Sequence, residues 1–391
     1  MRILVTGGGT GGHTTPAVAT IQAIRELAQR DGWAPEFAYL GSKHGMEGGV
    51  ASELGIPFIG IETGKLRRSR SLIGLISIAN IRDMLRVPIG YAQAIGAVRK
   101  FKPDVVLSTG GYVSVPGVLA AGALNAPVVA HEQTVQVGLA NRINFRVARK
   151  IAVSVDETLS VLTDDQRRRA VVTGNPVRQI VFGGDASRAA RKFGFDPGED
   201  ALPTIYVTGG AQGSRLINRA IGDALAGLLP IARTIHQCGA QAGGAEQDFE
   251  LLTAVCARLP ENLAGRYALT RFVGPEIGDV YALADLVVGR SGAGTVTEVC
   301  ALGKPAIFVP LVPTSGDEQT RNAARLVNSG AALVIRQDEL SGERLLRAVE
   351  ELVRNPGRLQ SMGRCAKELA QPNAAMKLAE LVVELGRASH G

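Results

Sequence analysis

The sequence predicts an α/β protein built from two doubly wound halves, and three observations carry that reading. Short apolar runs end repeatedly in a glycine turn that opens a helical pattern, at Val5–Pro16, Pro103–Pro116, Thr204–Arg215 and Asp285–Glu298. The first elements alternate as βαβαβ, the order of a parallel sheet with helices on its faces. The opening pattern returns at Thr204, where a second sheet begins. With 391 residues, 46% of them hydrophobic and 20% charged, the chain has material for about two domains of roughly 150 residues.

Strand Arg2–Val5 runs into Gly7, Gly8, Gly9, Thr10, Gly11 and Gly12, and an apolar helical pattern follows from Ala17 to Ala28. Glycine lets a backbone bend through positive φ and approach another molecule, and a helix start leaves N–H groups free for an anion. An anion site and a plain tight connection are both open for this turn. Phe37–Leu40 reads as a second strand and Gly55–Ile61 as a third. A dinucleotide site would place an acidic residue where Tyr39-Leu40-Gly41-Ser42 stands, so a nicotinamide cofactor is set aside.

Lys65, Arg67, Arg68, Arg70, Arg82 and Arg86 border the uncharged run Leu72–Ala79. Basic residues beside apolar ones suit the surface of an anionic bilayer, and they equally suit a solvated rim before a packed helix. Further on, Gly110 and Gly111 form a second glycine turn, and strand Pro127–Thr134 delivers His131 and Glu132 to its carboxyl end. Ligands gather there in open α/β sheets, although an orienting hydrogen bond between elements would use the same residues.

Strand Lys150–Val155 precedes a stretch, Asp156 to Arg178, that reads as the crossing between halves, with Asn175-Pro176 turning the chain. The second half takes strand Thr204–Thr208, the turn Gly209-Gly210-Ala211-Gln212-Gly213, strand Thr234–Gln237, the segment Tyr267–Gly274 and helix-like Ile277–Ala284. After Asp285–Gly289 a helix starting near Gly294 puts Glu298 in its first turns. A carboxylate there can accept two ribose hydroxyls or simply favour the helix dipole. Strand Pro305–Pro310 feeds the loop Thr314–Thr320, and helices are expected from there to the end.

Cys238, Cys256, Cys300 and Cys365 lack Cys-x-x-Cys spacing, so a zinc site and a disulfide framework are not supported and a reducing compartment fits. No leader pattern opens the chain and no run of about 18 uncharged apolar residues occurs, so neither secretion nor a spanning helix is expected. The net charge of +7 favours anionic partners without choosing among them.

Six stretches, in order, resemble the motif set of the MurG family: Gly8–His13, Gly110–Ser114, His131-Glu132-Gln133, Gly174–Arg178, Gly209–Gly213 and Ser291–Glu298. The likeness covers nearly the whole chain. It implies a GT-B fold, two Rossmann-like domains facing across a cleft, with residues 1–163 as the acceptor and membrane domain, joined by a last helix at about 372–391, and 164–371 as the donor domain. It implies an inverting N-acetylglucosaminyltransferase that completes the lipid-linked disaccharide of peptidoglycan. The donor would be UDP-N-acetylglucosamine, the acceptor an undecaprenyl-linked muramyl peptide, and the location the cytoplasmic face of the membrane, peripheral, reached through Lys65–Arg86. Neither a cofactor nor nucleic acid is implied.

Carried over by motif, Glu298 would hold the ribose hydroxyls, Gln319 the sugar, Val273 the uracil through its backbone, and Arg178 would line the nucleotide site. Ala293, Gly294, Thr295, Val296 and Thr297 would meet the diphosphate. Thr10, Gly11, Gly12, Thr134 and Ala211 would complete the donor site, while Gly9, His13, Gly110, Gly111, Tyr112, His131 and Glu132 would stand on the acceptor side. Inverting transfer needs a base, and His13 is assigned that role because imidazole titrates near neutrality; holding the acceptor's diphosphate is its other reading. No Asp-x-Asp pair occurs, so a metal bridge to the donor lacks its usual ligands and no metal site is expected.

This chain departs from the family pattern at Thr134, where asparagine is usual, at Ala211, where serine is usual, and at Gly294, where leucine is usual. Each lost polar group removes hydrogen bonds typically of about 0.5–1.5 kcal/mol, which bears on sugar and acceptor identity more than on fold. The alternatives are a GT-B transferase for another lipid or small-molecule acceptor, a sugar-nucleotide epimerase, and a non-catalytic nucleotide-binding module.

Overall fold

The computed structural model describes residues 1–64, 78–195, 202–239, 245–312 and 317–388. Residues 65–77 of the basic and apolar stretch from Lys65 to Arg86 fall outside these; the backbone resumes with helix Ile78–Phe101 and side chains with Arg86. The chain divides into two compact units, Met1–Arg178 with Gln371–Gly391, and Gln179–Ala370.

The first unit holds a seven-stranded sheet. Its strands are β1 Arg2–Thr6, β2 Glu36–Ser42, β3 Phe58–Ile61, β4 Val105–Ser108, β5 Val128–Glu132, β6 Lys150–Val153 and β7 Ala170–Val172. They lie in the order β3-β2-β1-β4-β5-β6-β7 and every pairing is parallel. Strands buried on both faces read as unbroken apolar runs, and Ile3, Leu4 and Val5 of β1 are accordingly all buried. Ile3, Val5 and Leu107 pack with Ile21 and Ile24 of helix Gly11–Arg30 on one face. Leu4, Leu40 and Val106 pack with Val118 and Phe145 on the other.

Helix Ala374–Arg387 belongs to this unit, sending Leu378, Leu381, Val382 and Leu385 into the first of those cores. Its fit is close: a Cβ on Gly386 would lie 2.9 Å from the Met1 sulfur and 3.1 Å from Val105. The Arg387 guanidinium sits 5.7 Å from the centre of the Trp33 ring.

The second unit repeats the plan with six strands in the order β10-β9-β8-β11-β12-β13. These are β8 Thr204–Thr208, β9 Arg233–Gln237, β10 Tyr267–Thr270, β11 Leu286–Gly289, β12 Ala306–Phe308 and β13 Ala332–Val334. Ile205, Val207, Val288 and Ile307 pack with Ile217 and Leu225 of helix Arg215–Leu228.

Three features differ from the sequence expectation. The units divide at Arg178, not at 163, because β7 pairs with β6, Ile151 opposite Ala170 and Val153 opposite Val172, and so extends the first sheet. The helices expected after Thr320 are interrupted by β13, which pairs with β12 through Ala306 and Ala332. The first helix begins at Gly11 and not at Ala17, since the Thr10 carbonyl already accepts from the His13 and Thr14 amides.

Leu378 is fully buried between the C-terminal helix and the sheet. Leu378→Ala should cost about 2–5 kcal/mol, read as an earlier denaturant transition of Trp33 fluorescence, Trp33 being the sole tryptophan. An unchanged Trp33 transition would mean that this helix does not support the unit.

Candidate active site

In the first unit the ends of β1 and β4 carry two glycine turns that interlock. The Thr109 amide donates to the Thr6 carbonyl at 2.9 Å and the Gly8 amide to the Gly110 carbonyl at 3.2 Å. Gly111, at φ 80°, has the Gly8 carbonyl where a side chain would stand and the His13 ring 3.0 Å from that point. A Cβ on Gly9, at φ 85°, would lie 2.6 Å from the Tyr112 ring. Glycine is required here by close approach as well as by backbone angle.

A residue that the sequence reading did not single out lies beneath this turn. Glu47 is fully buried and its Oε1 accepts from the Gly9 amide at 2.6 Å, while Gly8 and Gly45 leave the space its carboxylate fills. The Gly9 amide is therefore already spent, and a carboxylate below the loop disfavours an anion directly on it. Exposed Gly11 and Gly12, in the first helical turn, remain the amides an anion could reach. Tyr39 donates to the Gly7 carbonyl at 2.8 Å, and burial with the nearby Glu47 carboxylate pushes its hydroxyl above the usual tyrosine range.

His13 is half-buried at the start of the helix, with Nδ1 3.0 Å from the Thr109 carbonyl and 3.0 Å from Gln133 Oε1. Strand alternation sends His131 and Glu132 to opposite sides of β5. Buried His131 has Nε2 3.0 Å from the Gly174 carbonyl, and burial pulls its pKa down to about 4. Buried Glu132 accepts from the Thr134 amide at 3.2 Å, the Gly138 amide at 3.0 Å and Asn141 Nδ2 at 3.0 Å. The Thr134 hydroxyl lies 3.0 Å from the same carboxylate and 2.7 Å from the Gln136 carbonyl. Glu132 and Thr134 thus hold their own loop: the carboxylate and the hydroxyl proton both have partners within it. Arg178, half-buried, ends this unit, and Thr10 is exposed.

The second unit assembles its candidates at the carboxyl ends of β8, β10 and β11. Helix Ala293–Leu302 starts one residue before the expected position, with Gly292 as its N-cap. Glu298 is buried, and its Oε2 accepts from the Tyr281 hydroxyl at 2.9 Å. Ser291 donates to the Gln319 carbonyl at 2.8 Å, and Gln319 Oε1 accepts from the Leu311 amide at 2.9 Å, so the Gln319 Nε2 is the end left to bind.

Gln237 joins three strand ends. Its Nε2 donates to the Thr208 hydroxyl at 3.2 Å and the Gly210 carbonyl at 2.9 Å, and its Oε1 accepts from the Val273 amide at 2.9 Å. Val273 therefore offers its carbonyl, not its N–H. Ala211 is exposed in the turn just after Gly210, and Gly294, Thr295 and Thr297 are half-buried along the helix start while Ala293 and Val296 are buried.

Arg290 also escaped the sequence reading. It precedes this turn, donates to the Val309 carbonyl at 2.9 Å, and partial burial lowers its pKa. Its position immediately before Ser291-Gly292 was the available signal. Among the described residues no group of three His, Cys, Asp or Glu side chains could hold a metal ion, and no helix is long and apolar enough to cross a membrane.

Residues 3–153 match the glycosyltransferase family 28 N-terminal domain and residues 204–378 its C-terminal domain. The chain is 34% identical to the UDP-N-acetylglucosamine–N-acetylmuramyl-(pentapeptide) pyrophosphoryl-undecaprenol N-acetylglucosamine transferase of Lachnoclostridium phytofermentans, over 98% of this chain and 99% of that one. It resembles the crystal structure of Acinetobacter baumannii MurG, with a TM-score of 0.70, 28% identity, and coverage of 98% of this chain and 99% of the other. A UDP-GlcNAc 2-epimerase from Neisseria meningitidis shares the fold alone, with a TM-score of 0.68 at 16% identity, covering 98% and 100% of the two chains.

Each unit buries a neutral histidine, His131 in the first at about 4 and His236 in the second at about 3, both lowered by burial. An unfolded histidine titrates near 6.5, so the unfolded chain binds these protons first. Their contribution is full above pH ~6.5 and is lost as pH falls through about 4 and then 3. The denaturation midpoint should therefore drop on going from pH 7.5 to pH 5, and replacing His236 with a neutral residue should flatten the drop for the second unit. A midpoint constant over that range would show that neither histidine is held neutral.

Proposed function

The chain belongs to the MurG family of glycosyltransferases, within family 28, and on that premise we propose that it transfers N-acetylglucosamine from UDP-N-acetylglucosamine to a lipid-linked muramyl pentapeptide. The observation that carries this reading is the full-length relationship to transferases bearing that name. The geometry supplies the parts: an imidazole at the first glycine turn of one unit, and a bare helix start followed by an anchored carboxylate in the other.

The C4 hydroxyl of the muramyl sugar attacks the anomeric carbon of the donor. His13 takes the hydroxyl proton, a β-1,4 bond forms with inversion, and UDP leaves. The charge growing on the diphosphate meets the first-turn amides of helix Ala293–Leu302. Glu298, steadied by Tyr281, accepts the ribose hydroxyls, Gln319 donates through Nε2 to the sugar, and the Val273 carbonyl faces the uracil. Arg178, Ala211, Thr10, Gly11 and Gly12 border the donor, while Gly110, Gly111 and Tyr112 shape the acceptor side. Thr134, Glu132, His131 and Gly9 act by holding the loops. The reaction needs no cofactor, and turnover in the presence of a chelator is part of the proposal.

Association with the cytoplasmic membrane surface, as a peripheral protein, is supported by Val87, Ile89 and Tyr91, all exposed just beyond the basic stretch on helix Ile78–Phe101. A second reading, a related transferase with another sugar or another acceptor, is favoured by Thr134, whose hydroxyl is spent within its loop where asparagine is usual in the family.

Incubation with UDP-N-acetylglucosamine and a short-chain lipid-linked muramyl pentapeptide should release UDP and yield the β-linked disaccharide. UDP release that this acceptor does not stimulate would favour the second reading, and epimerised donor would defeat both. Glu298→Ala should raise KM for UDP-N-acetylglucosamine by an order of magnitude or more, and His13→Ala should lower kcat by about 10²–10⁴ with little change in that KM. Nearly unchanged turnover of His13→Ala would remove it from the base role.

A further inference from the structure

We infer that His131 and Gln133 form a hydrogen-bond relay that sets the tautomer of His13, placing its proton on Nδ1 and its lone pair on Nε2. The inference rests on the proposed role of His13, and each link has one permitted direction. The relay starts at the Gly174 carbonyl, which can only accept, so His131 carries its proton on Nε2, 3.0 Å away. Burial keeps that ring neutral near pH 7, which leaves a lone pair on Nδ1.

Gln133 Nε2 stands 3.2 Å from this lone pair and 2.6 Å from the Thr109 carbonyl. Both neighbours accept, as does the more distant His131 carbonyl at 3.4 Å, and the amide's two N–H groups serve the two nearest. Reversing the amide would set its oxygen against the Thr109 oxygen, so the orientation is chosen by the network. Gln133 Oε1 consequently faces His13 Nδ1 at 3.0 Å, beside the Thr109 carbonyl at 3.0 Å. Two acceptors on one ring nitrogen require an N–H there, and Nε2 has no hydrogen bond among the described residues. A neutral His13 is thereby ready to take a proton.

The relay explains why a histidine and a glutamine flank Glu132. Alternation along the strand puts the two on one side, toward His13, and turns the carboxylate to the Gly138 amide and to Asn141 in the first turn of helix Leu139–Val147. Gln133 is buried and acts through His13, so it is a positioning residue. A carboxylate in its place could not donate to His131 or Thr109.

The relay can be read without turnover. In protein labelled with ¹⁵N at its five histidines, assigned through single variants of the others, long-range ¹H–¹⁵N spectra should show His13 as the Nδ1–H tautomer and His131 as Nε2–H. Gln133→Leu should turn His13 into a tautomer mixture and lower kcat about tenfold, with KM for UDP-N-acetylglucosamine held within twofold. A wild-type His13 found as Nε2–H, or a Gln133→Leu protein whose His13 spectrum is unchanged, would overturn the relay. Full turnover by His13→Ala with the wild-type tautomers intact would instead overturn the base assignment and leave the relay standing.

Discussion

The close passage of the two glycine turns in the first unit, fixed by the 3.2 Å hydrogen bond from the Gly8 amide to the Gly110 carbonyl, is the constraint on which the candidate site depends. It brings the Gly8 carbonyl against Gly111 and the His13 ring against the same glycine, so β1 and β4 hold one functional side chain between them. The Thr109 carbonyl, buried at that crossing, is the shared acceptor for His13 and Gln133. Buried Glu47 supports the arrangement from below by tying down Gly9. An opening turn that reads locally as a phosphate loop is thus mainly a mount for an imidazole.

The second unit solves a different problem with the same strand–turn–helix plan. Its helix start at Ala293 carries no cationic side chain in the first turn, and the amides are left for charge. Glu298 lies further along the same helix, held by Tyr281 from a neighbouring element. Gln237 sets the ends of β8 and β10 at once, which decides that Val273 presents a carbonyl. In the proposed reading, the Val273 carbonyl that faces the uracil is set by Gln237, which binds the Val273 amide.

Much of the fold was legible because parallel strands leave continuous apolar runs and glycine marks their ends. The three-residue strands β7 and β13 sit in apolar runs too short to distinguish from helix or loop, Ala170–Val172 and Ala331–Ile335, and pairing along an adjacent strand edge makes them strands. The placement of the candidate site was legible where motif and backbone geometry coincide, at the two interlocked glycine turns of the first unit and the helix start at Ala293. It was not legible where a distant partner decides the role. Glu132 and Thr134 look like site residues in one dimension, yet their polar atoms are spent in their own loop, and Glu47 gains its place only by folding against Gly8 and Gly45.

His13 Nε2 is the single proton acceptor proposed for the first unit, and chemical rescue tests this most directly. Added imidazole should restore turnover to His13→Ala saturably, with rescue following the fraction of free imidazole that is unprotonated. No restoration, in a variant that still folds and binds UDP-N-acetylglucosamine, would contradict it.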